Sequence, residues 1–200
     1  MKNIAIFASG SGTNAQKIIE YFSTAKSANV RLILSNKADA FVLERARKFS
    51  IPCLVFDRDD LYKSDTVLRA LLENDIFMIV LAGFLWLLPE DILDHFPGRV
   101  VNIHPALLPD YGGKGMYGSR VHRAVIANRE KESGITIHYV NSKYDEGDII
   151  FQARCEVKPG DSPESLAERI HALEHKYYPR IIDKLIREAE DVEAQNDSSS

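Results

Sequence analysis

Apolar residues recur along the chain in two alternating rhythms. Ile4–Ala8 is a short unbroken apolar run, and from Asn14 onward Ala15, Ile18, Ile19 and Phe22 return at helical spacing. The same alternation follows: Val30–Leu34 reads as a strand, Ala38–Phe49 as a helix with a charged face, and Cys53–Phe56 as a short strand. Leu61–Leu72 reads as one helix with Leu61, Val67, Leu68, Leu71 and Leu72 turned inward. Ile76–Ala82 is continuously apolar, as a strand covered on both faces is. Pro89–Phe96 predicts a short helix and Val100–Ile103 a fifth strand. This alternation predicts an α/β fold: a doubly wound, mostly parallel sheet with helices on both faces and right-handed crossovers.

The pattern changes after residue 103. Residues 104–118 hold two prolines (Pro105, Pro109) and four glycines (at 112, 113, 115 and 118), which predicts a long functional loop. Ser119–Asn128 reads as a helix. Thr136–Val140 and Ile149–Cys155, separated by the turn-rich Asn141–Asp148, read as a hairpin-like pair, an antiparallel addition near the C-terminal part. Ser162-Pro163-Glu164 opens a last helix with a capping hydroxyl, a first-turn proline and an acid at the positive dipole end. Its expected inner face is Leu166, Ile170, Leu173, Tyr177, Ile181 and Leu185, with a kink at Pro179. The expected organisation is one domain over residues 1–188 and a polar, acidic, fraying tail over 189–200.

Composition narrows the partners. At 200 residues and 45% hydrophobic content the chain can bury a core. A formal net charge of −4 offers no basic excess for phosphate backbones, so no nucleic-acid partner is expected. Neither a signal-peptide core nor an apolar run long enough to cross a membrane stands out, which predicts a cytoplasmic protein without a membrane partner. Cys53 and Cys155 form neither a disulfide framework nor a zinc set, and their apolar surroundings predict buried thiols.

Two clusters carry chemistry. Ser9-Gly10-Ser11-Gly12-Thr13-Asn14 joins the first strand to the first helix, where backbone amides and the helix dipole suit an anion. Gly10, Gly12 and Ala15 match the loose dinucleotide fingerprint, but Ser35-Asn36 ends the second strand where a ribose-binding acid is needed, so a single phosphate monoester fits better. In Asn102-Ile103-His104-Pro105, at the carboxyl end of the fifth strand, Asn102 and His104 share a face because side chains alternate. A lone histidine there would read as a backbone cap. An amide and an imidazole together suit acyl transfer, whose tetrahedral oxyanion needs aimed donors. Asp145 sits in an acidic turn; a carboxylate near His104 would raise its proton affinity. No serine elbow, cysteine–histidine pair or metal triad stands out, and His122, His138, His171 and His175 read as surface or satisfied histidines.

These stretches carry a resemblance. With Ser35-Asn36-Lys37-Ala38-Asp39-Ala40, Leu81-Ala82-Gly83-Phe84, Asn102-Ile103-His104-Pro105-Ala106-Leu107-Leu108-Pro109 and Asp145-Glu146-Gly147, the chain resembles the phosphoribosylglycinamide formyltransferases of purine biosynthesis from residue 2 to about residue 187. The resemblance implies a Rossmann-like formyltransferase fold, 10-formyltetrahydrofolate as co-substrate, no metal, and a monomer or homodimer acting on small-molecule substrates. It implies that Gly12, Thr13 and Asn14 hold the substrate phosphate and that Glu174 contacts the amine or ribose. Asn102 and His104 would stabilise the oxyanion, with Asp145 orienting His104 and assisting proton transfer. Leu85, Trp86, Leu87, Leu88, Asn102, Asn141 and Tyr144 would line the folate pocket, and Arg58 or Lys63 would meet the folate tail. Two departures stand out: Trp86 replaces a frequent basic residue, and the glycine-rich 111–118 stretch is longer than in some relatives.

Rival readings remain. Methionyl-tRNA formyltransferase shares the Asn-x-His core but needs a basic C-terminal domain, where this chain ends in an acidic tail. A formyltetrahydrofolate deformylase carries an extra N-terminal domain, whereas here the core begins at residue 2. A non-catalytic nucleotide-binding module is disfavoured by the intact Asn102, His104 and Asp145.

Overall fold

The computed structural model describes residues 1–197, and the side chains of residues 1–195. Among the described residues the strands are β1 (Lys2–Phe7), β2 (Ala28–Ser35), β3 (Cys53–Val55), β4 (Ile76–Leu81), β5 (Val100–His104), β6 (Glu132–Tyr139) and β7 (Ile149–Glu156). They form one sheet in the order β3-β2-β1-β4-β5-β6-β7. The pairs from β3 through β5 are parallel, while β5/β6 and β6/β7 are antiparallel. The expected doubly wound sheet with an antiparallel addition is what the chain forms.

Both faces of the sheet are covered, which is why β1 and β4 are apolar at every central position. Along β1 and its exit, Ile4, Ile6 and Ala8 enter one core, and Ala5 and Phe7 the other. The first core is built by α1 (Thr13–Ala25), α2 (Phe41–Lys48), α6 (Ser119–Ala127) and α7 (Pro163–Asp197). The second is built by α3 (Arg58–Tyr62), α4 (Thr66–Glu73) and α5 (Glu90–His95). The strand order reverses between β1 and β4, the place where open α/β sheets bind ligands. Tyr178, fully buried on α7, ties that helix to this point: its hydroxyl lies 2.8 Å from the Leu81 carbonyl and 3.2 Å from that of Val101.

Several local expectations are corrected. The single helix expected over 61–72 is two: α3 starts earlier, where the Asp57 carboxylate caps it in a reciprocal box with Asp60, and the chain turns at 63–65 before α4 begins. Leu72 is consequently exposed rather than inward. On α7, Ser162 and Ser165 cap each other as the sequence suggests, and the helix runs through Pro179. Its buried stripe passes Leu166, Ile170, Glu174, Tyr178, Ile182 and Ile186, a step-of-four column that leaves Leu173, Tyr177, Ile181 and Leu185 half-buried at its edge. Over 189–197, where fraying is expected, the chain is helical, consistent with its Glu, Ala and Gln content; residues 198–200 lie outside the described residues. Cys53 is exposed, on the three-residue edge strand β3, and Cys155 is half-buried on the edge strand β7, so neither is the core thiol expected. Among the described residues no helix is long and apolar enough to cross a membrane.

Candidate active site

The Ser9–Asn14 turn leaves β1 at the reversal of strand order. Its shape depends on Gly12, whose φ is +71° and whose Cβ, if present, would lie 2.5 Å from Cγ2 of Val42. Only glycine lets α2 pack this closely on a left-handed turn. The turn is tied down from both sides: the Ser9 amide donates to the Gly83 carbonyl at 3.0 Å, and the Leu85 amide donates to Ser9 Oγ at 3.3 Å. Asn14, in the first turn of α1, donates from Nδ2 to Oε2 of Glu174 at 2.9 Å, while its Oδ1 is buried without a protein partner. Glu174 lies in the buried stripe of α7, and burial raises its carboxyl above the ordinary glutamate range.

The end of β5 and the β6–β7 turn supply the second half. Asn102 Nδ2 lies 3.1 Å from Nε2 of His138 and 3.5 Å from Oδ1 of Asp145. The Nε2–H of His104 donates to the Tyr111 carbonyl at 2.7 Å, and Nδ1 faces Oδ2 of Asp145 at 3.5 Å. Asp145 Oδ2 also accepts from the Gly113 amide at 3.0 Å. The turn that holds Asp145 in a left-handed conformation (φ 56°) requires Gly147, where a Cβ would stand 1.7 Å from the Tyr139 carbonyl oxygen.

Burial pulls the His104 imidazole below its ordinary value, against the opposing pull of Asp145 and the Tyr111 carbonyl. Burial acts to raise the Asp145 carboxyl, but His138, His104 and the Gly113 amide together hold it below the usual range. The pair thus combines an ionised carboxylate with an imidazole whose two nitrogens both face acceptors. A protonated ring satisfies both contacts, and desolvation makes that proton easy to give up.

These groups open onto one cleft of about 540 Å³, lined by the Gly10–Asn14 turn, Ala82–Leu85, Asn102–Pro105, the Gly113–Gly118 loop, Tyr144 and Asp145, and His171 and Glu174 of α7. The structure therefore brings together Gly12, Thr13, Asn14, Glu174, Asn102, His104, Asp145, Leu85 and Tyr144. It places four others away from this lining. Trp86 packs in the aromatic cluster of Phe56, Phe84 and Tyr62. Leu87 receives the Tyr62 hydroxyl on its carbonyl at 2.8 Å, and Leu88 is buried in the second core. Asn141 is exposed, its Oδ1 accepting from the Lys143 amide. Arg58 stacks on Trp86 at 4.7 Å, whereas Lys63 pairs with Asp59 on the surface.

Sequence reasoning passed over three histidines, of which His171 lines the cleft from α7. His138 is buried against Asn102 and Asp145, and His122 lines the cleft with its Nδ1 unpartnered. Burial, with His171 and His104 nearby, lowers the His122 imidazole to about 4. The signal for His138 was its position two residues beyond Thr136 on an alternating strand, but the strand register that sets it opposite Asn102 is a tertiary fact. Among the described residues no group of three or more His, Cys, Asp or Glu side chains has a metal-site arrangement.

Comparison with known proteins gives a consistent picture. The family described as "Formyl transferase" matches residues 2–182. The chloroplastic phosphoribosylglycinamide formyltransferase of Arabidopsis thaliana is 41% identical over 194 residues, covering 94% of this chain and 66% of the plant protein. The phosphoribosylglycinamide formyltransferase of Bacillus subtilis (strain 168) is 35% identical, covering 93% of this chain and 95% of its own length. The crystal structure of glycinamide ribonucleotide transformylase 1 from Symbiobacterium toebii superposes with a TM-score of 0.85 at 35% identity, covering 94% of this chain and 88% of that one.

Proposed function

Since the chain belongs to the formyl transferase family, among the phosphoribosylglycinamide formyltransferases, we propose that it moves the formyl group of 10-formyltetrahydrofolate to the primary amine of 5-phosphoribosylglycinamide. The observation that carries this reading is the convergence of Asn102, His104 and Asp145 in the same cleft as the Gly12–Asn14 turn. A phosphorylated amine and a formyl donor meet where an anion cradle and acyl-transfer donors meet.

The residues account for each stage. The substrate phosphate docks on the amides and hydroxyls at the start of α1. Glu174 and the unpartnered Asn14 Oδ1 stand beside it to receive ribose hydroxyls or the amine. The amine nitrogen attacks the formyl carbon, and the carbonyl electron pair moves onto oxygen. Asn102 Nδ2 and the Nδ1–H of protonated His104 donate to that oxyanion, while the Tyr111 carbonyl holds the ring by Nε2. Collapse re-forms the carbonyl and breaks the bond to folate N10. The amine loses a proton to Asp145, directly or through water, and that proton passes on to N10 as it leaves, which restores the carboxylate. The chemistry is direct transfer, with no covalent enzyme intermediate. The wall formed by Leu85 and Tyr144 fits the pterin end of the donor.

The test follows absorbance as 10-formyltetrahydrofolate is mixed with the protein, with and without the ribonucleotide. Turnover that requires the ribonucleotide is expected. Turnover without it makes the protein a hydrolase of the deformylase kind, and no turnover with phosphate-ligand binding intact makes it a binding module.

A further inference from the structure

A phosphate monoester brings close to two negative charges at neutral pH, yet the Ser9–Asn14 turn holds only amides and hydroxyls. Arg45, the cation beside that turn, lies behind it. Its Nε donates to the Ser11 carbonyl at 2.7 Å, its Nη1 meets Gln16, and it does not line the cleft. The cleft's lysine and arginine are Lys114, in the glycine-rich loop, and Arg120, in the first turn of α6. Among the described residues neither has a carboxylate within ion-pair distance. The Arg120 guanidinium stacks 4.9 Å over the Tyr117 ring, another cleft residue, which steadies the cation without neutralising it.

Their side of the cleft can be read from the packing. α6 packs against α7, and α7 against α1, all over the same face of the sheet. The segment bearing Lys114 and Arg120 therefore shares a face with Thr13, Asn14 and Glu174. The Trp86 cluster and its stacked Arg58 occupy the opposite face. Two unpaired cations stand on the nucleotide side of a cleft whose phosphate cradle has none.

We propose that Lys114 and Arg120 form a cationic clamp on the substrate phosphate, closing from the glycine-rich loop over the Gly12–Asn14 turn. The proposal rests on the formyl-transfer reading and names what the glycine-rich 111–118 stretch contributes to it. The cations select a phosphorylated amine over its unphosphorylated nucleoside, because only the former repays bringing two charges together in the cleft.

Steady-state formyl transfer with each substrate varied in turn tests it, using Lys114→Met, Arg120→Met, the double variant and Lys114→Arg. A charge-assisted contact of this kind corresponds to about tenfold in affinity. Each single Met variant is expected to raise the ribonucleotide KM by about that factor and the double variant by roughly a hundredfold, with the folate KM unmoved. Lys114→Arg should retain most of the affinity. Matched melting temperatures establish that the variants fold. An unchanged ribonucleotide KM overturns the clamp, as does a rise in the folate KM instead, which would assign the cations to glutamate carboxylates. Calorimetric titration with inorganic phosphate keeps the two readings apart. If the wild type shows no ribonucleotide-dependent transfer, the formyl-transfer reading fails, and phosphate binding that is no weaker in the double variant than in the wild type still decides against the clamp.

Discussion

Asn102 on β5 and His138 on β6 stand directly opposite each other across an antiparallel ladder, with Asn102 Nδ2 3.1 Å from His138 Nε2. His138 Nδ1 lies 2.8 Å from the Tyr139 carbonyl, an acceptor, so Nδ1 carries a hydrogen, while Nε2 faces both the Asn102 amide and Oδ1 of Asp145. That contact holds the Asn102 amide between His138 and Asp145. It presents the donor to the cleft side where Asp145 and His104 also converge.

Asn102→Ala should lower kcat on the order of 10²-fold or more if the amide donates to the oxyanion. His138→Ala should cost roughly tenfold in kcat with both KM values nearly unchanged, because a misaimed donor acts on the transition state. His138→Gln, which can offer an acceptor in the same place, should recover most of that loss. Equal effects of His138→Ala on kcat and on melting temperature, with no recovery in the Gln variant, would reduce His138 to a packing residue.

Asp145 counters the burial that lowers the His104 imidazole. Asp145→Asn removes this support, so the ring should lose its proton at lower pH than in the wild type. The expected result is a fall in kcat of about 10²- to 10⁴-fold and a high-pH limb of the kcat profile displaced toward acid. A smaller kcat with an undisplaced limb would mean that Asp145 does not act through His104.

Glu174 titrates higher in the fold than in the unfolded chain because it is buried. For a carboxyl with a raised folded value, the destabilisation is absent below the unfolded value, grows as pH rises through the folded one, and is full above it. Glu174→Gln should therefore raise the melting temperature at neutral pH and change it little in acid. The same variant should raise the ribonucleotide KM, since the carboxylate faces the cleft beside Asn14. A uniform change in melting temperature across pH would count against a buried, desolvated carboxylate.

His122 is depressed to about 4 from an ordinary value of 6.5. The unfolded chain takes up a proton below about 6.5 that the fold refuses, so stability is lost as pH falls from 6.5 toward 4. The loss should reach about 3 kcal/mol, at 1.36 kcal/mol for each pKa unit. His122→Leu, which keeps the bulk and removes the titration, should flatten the melting profile over that window relative to the wild type. Parallel profiles would show that other groups carry the acid sensitivity.

How much of this could be read before folding follows from the range of the interactions. The sheet's character and the motif loops are local in origin. Apolar runs mark covered strands, helical spacing marks the flanking helices, and the Ser9–Asn14 and Asn102–His104 stretches announce their chemistry by residue type and by their place after a strand. The resemblance located Asp145 and Glu174, which composition would have left as ordinary acids. The break between α3 and α4 was hidden because Leu61 and Val67–Leu72 keep one apolar rhythm across the turn at 63–65. The α7 column was displaced by one residue because sheet packing, not periodicity alone, selects which stripe faces inward.

What the sequence by itself determined was therefore the α/β alternation, the two candidate stretches and the absence of a basic excess in the formal charge. Those depend on residue type and spacing along the chain. Only the tertiary structure decided that Asn102 meets His138, that His104 is held between Asp145 and the Tyr111 carbonyl, and that Lys114 and Arg120 share a face with Asn14. Each of these joins residues through strand register, a long loop or helix packing. Such contacts form only when the whole sheet is wound, so no local window of the chain contains them.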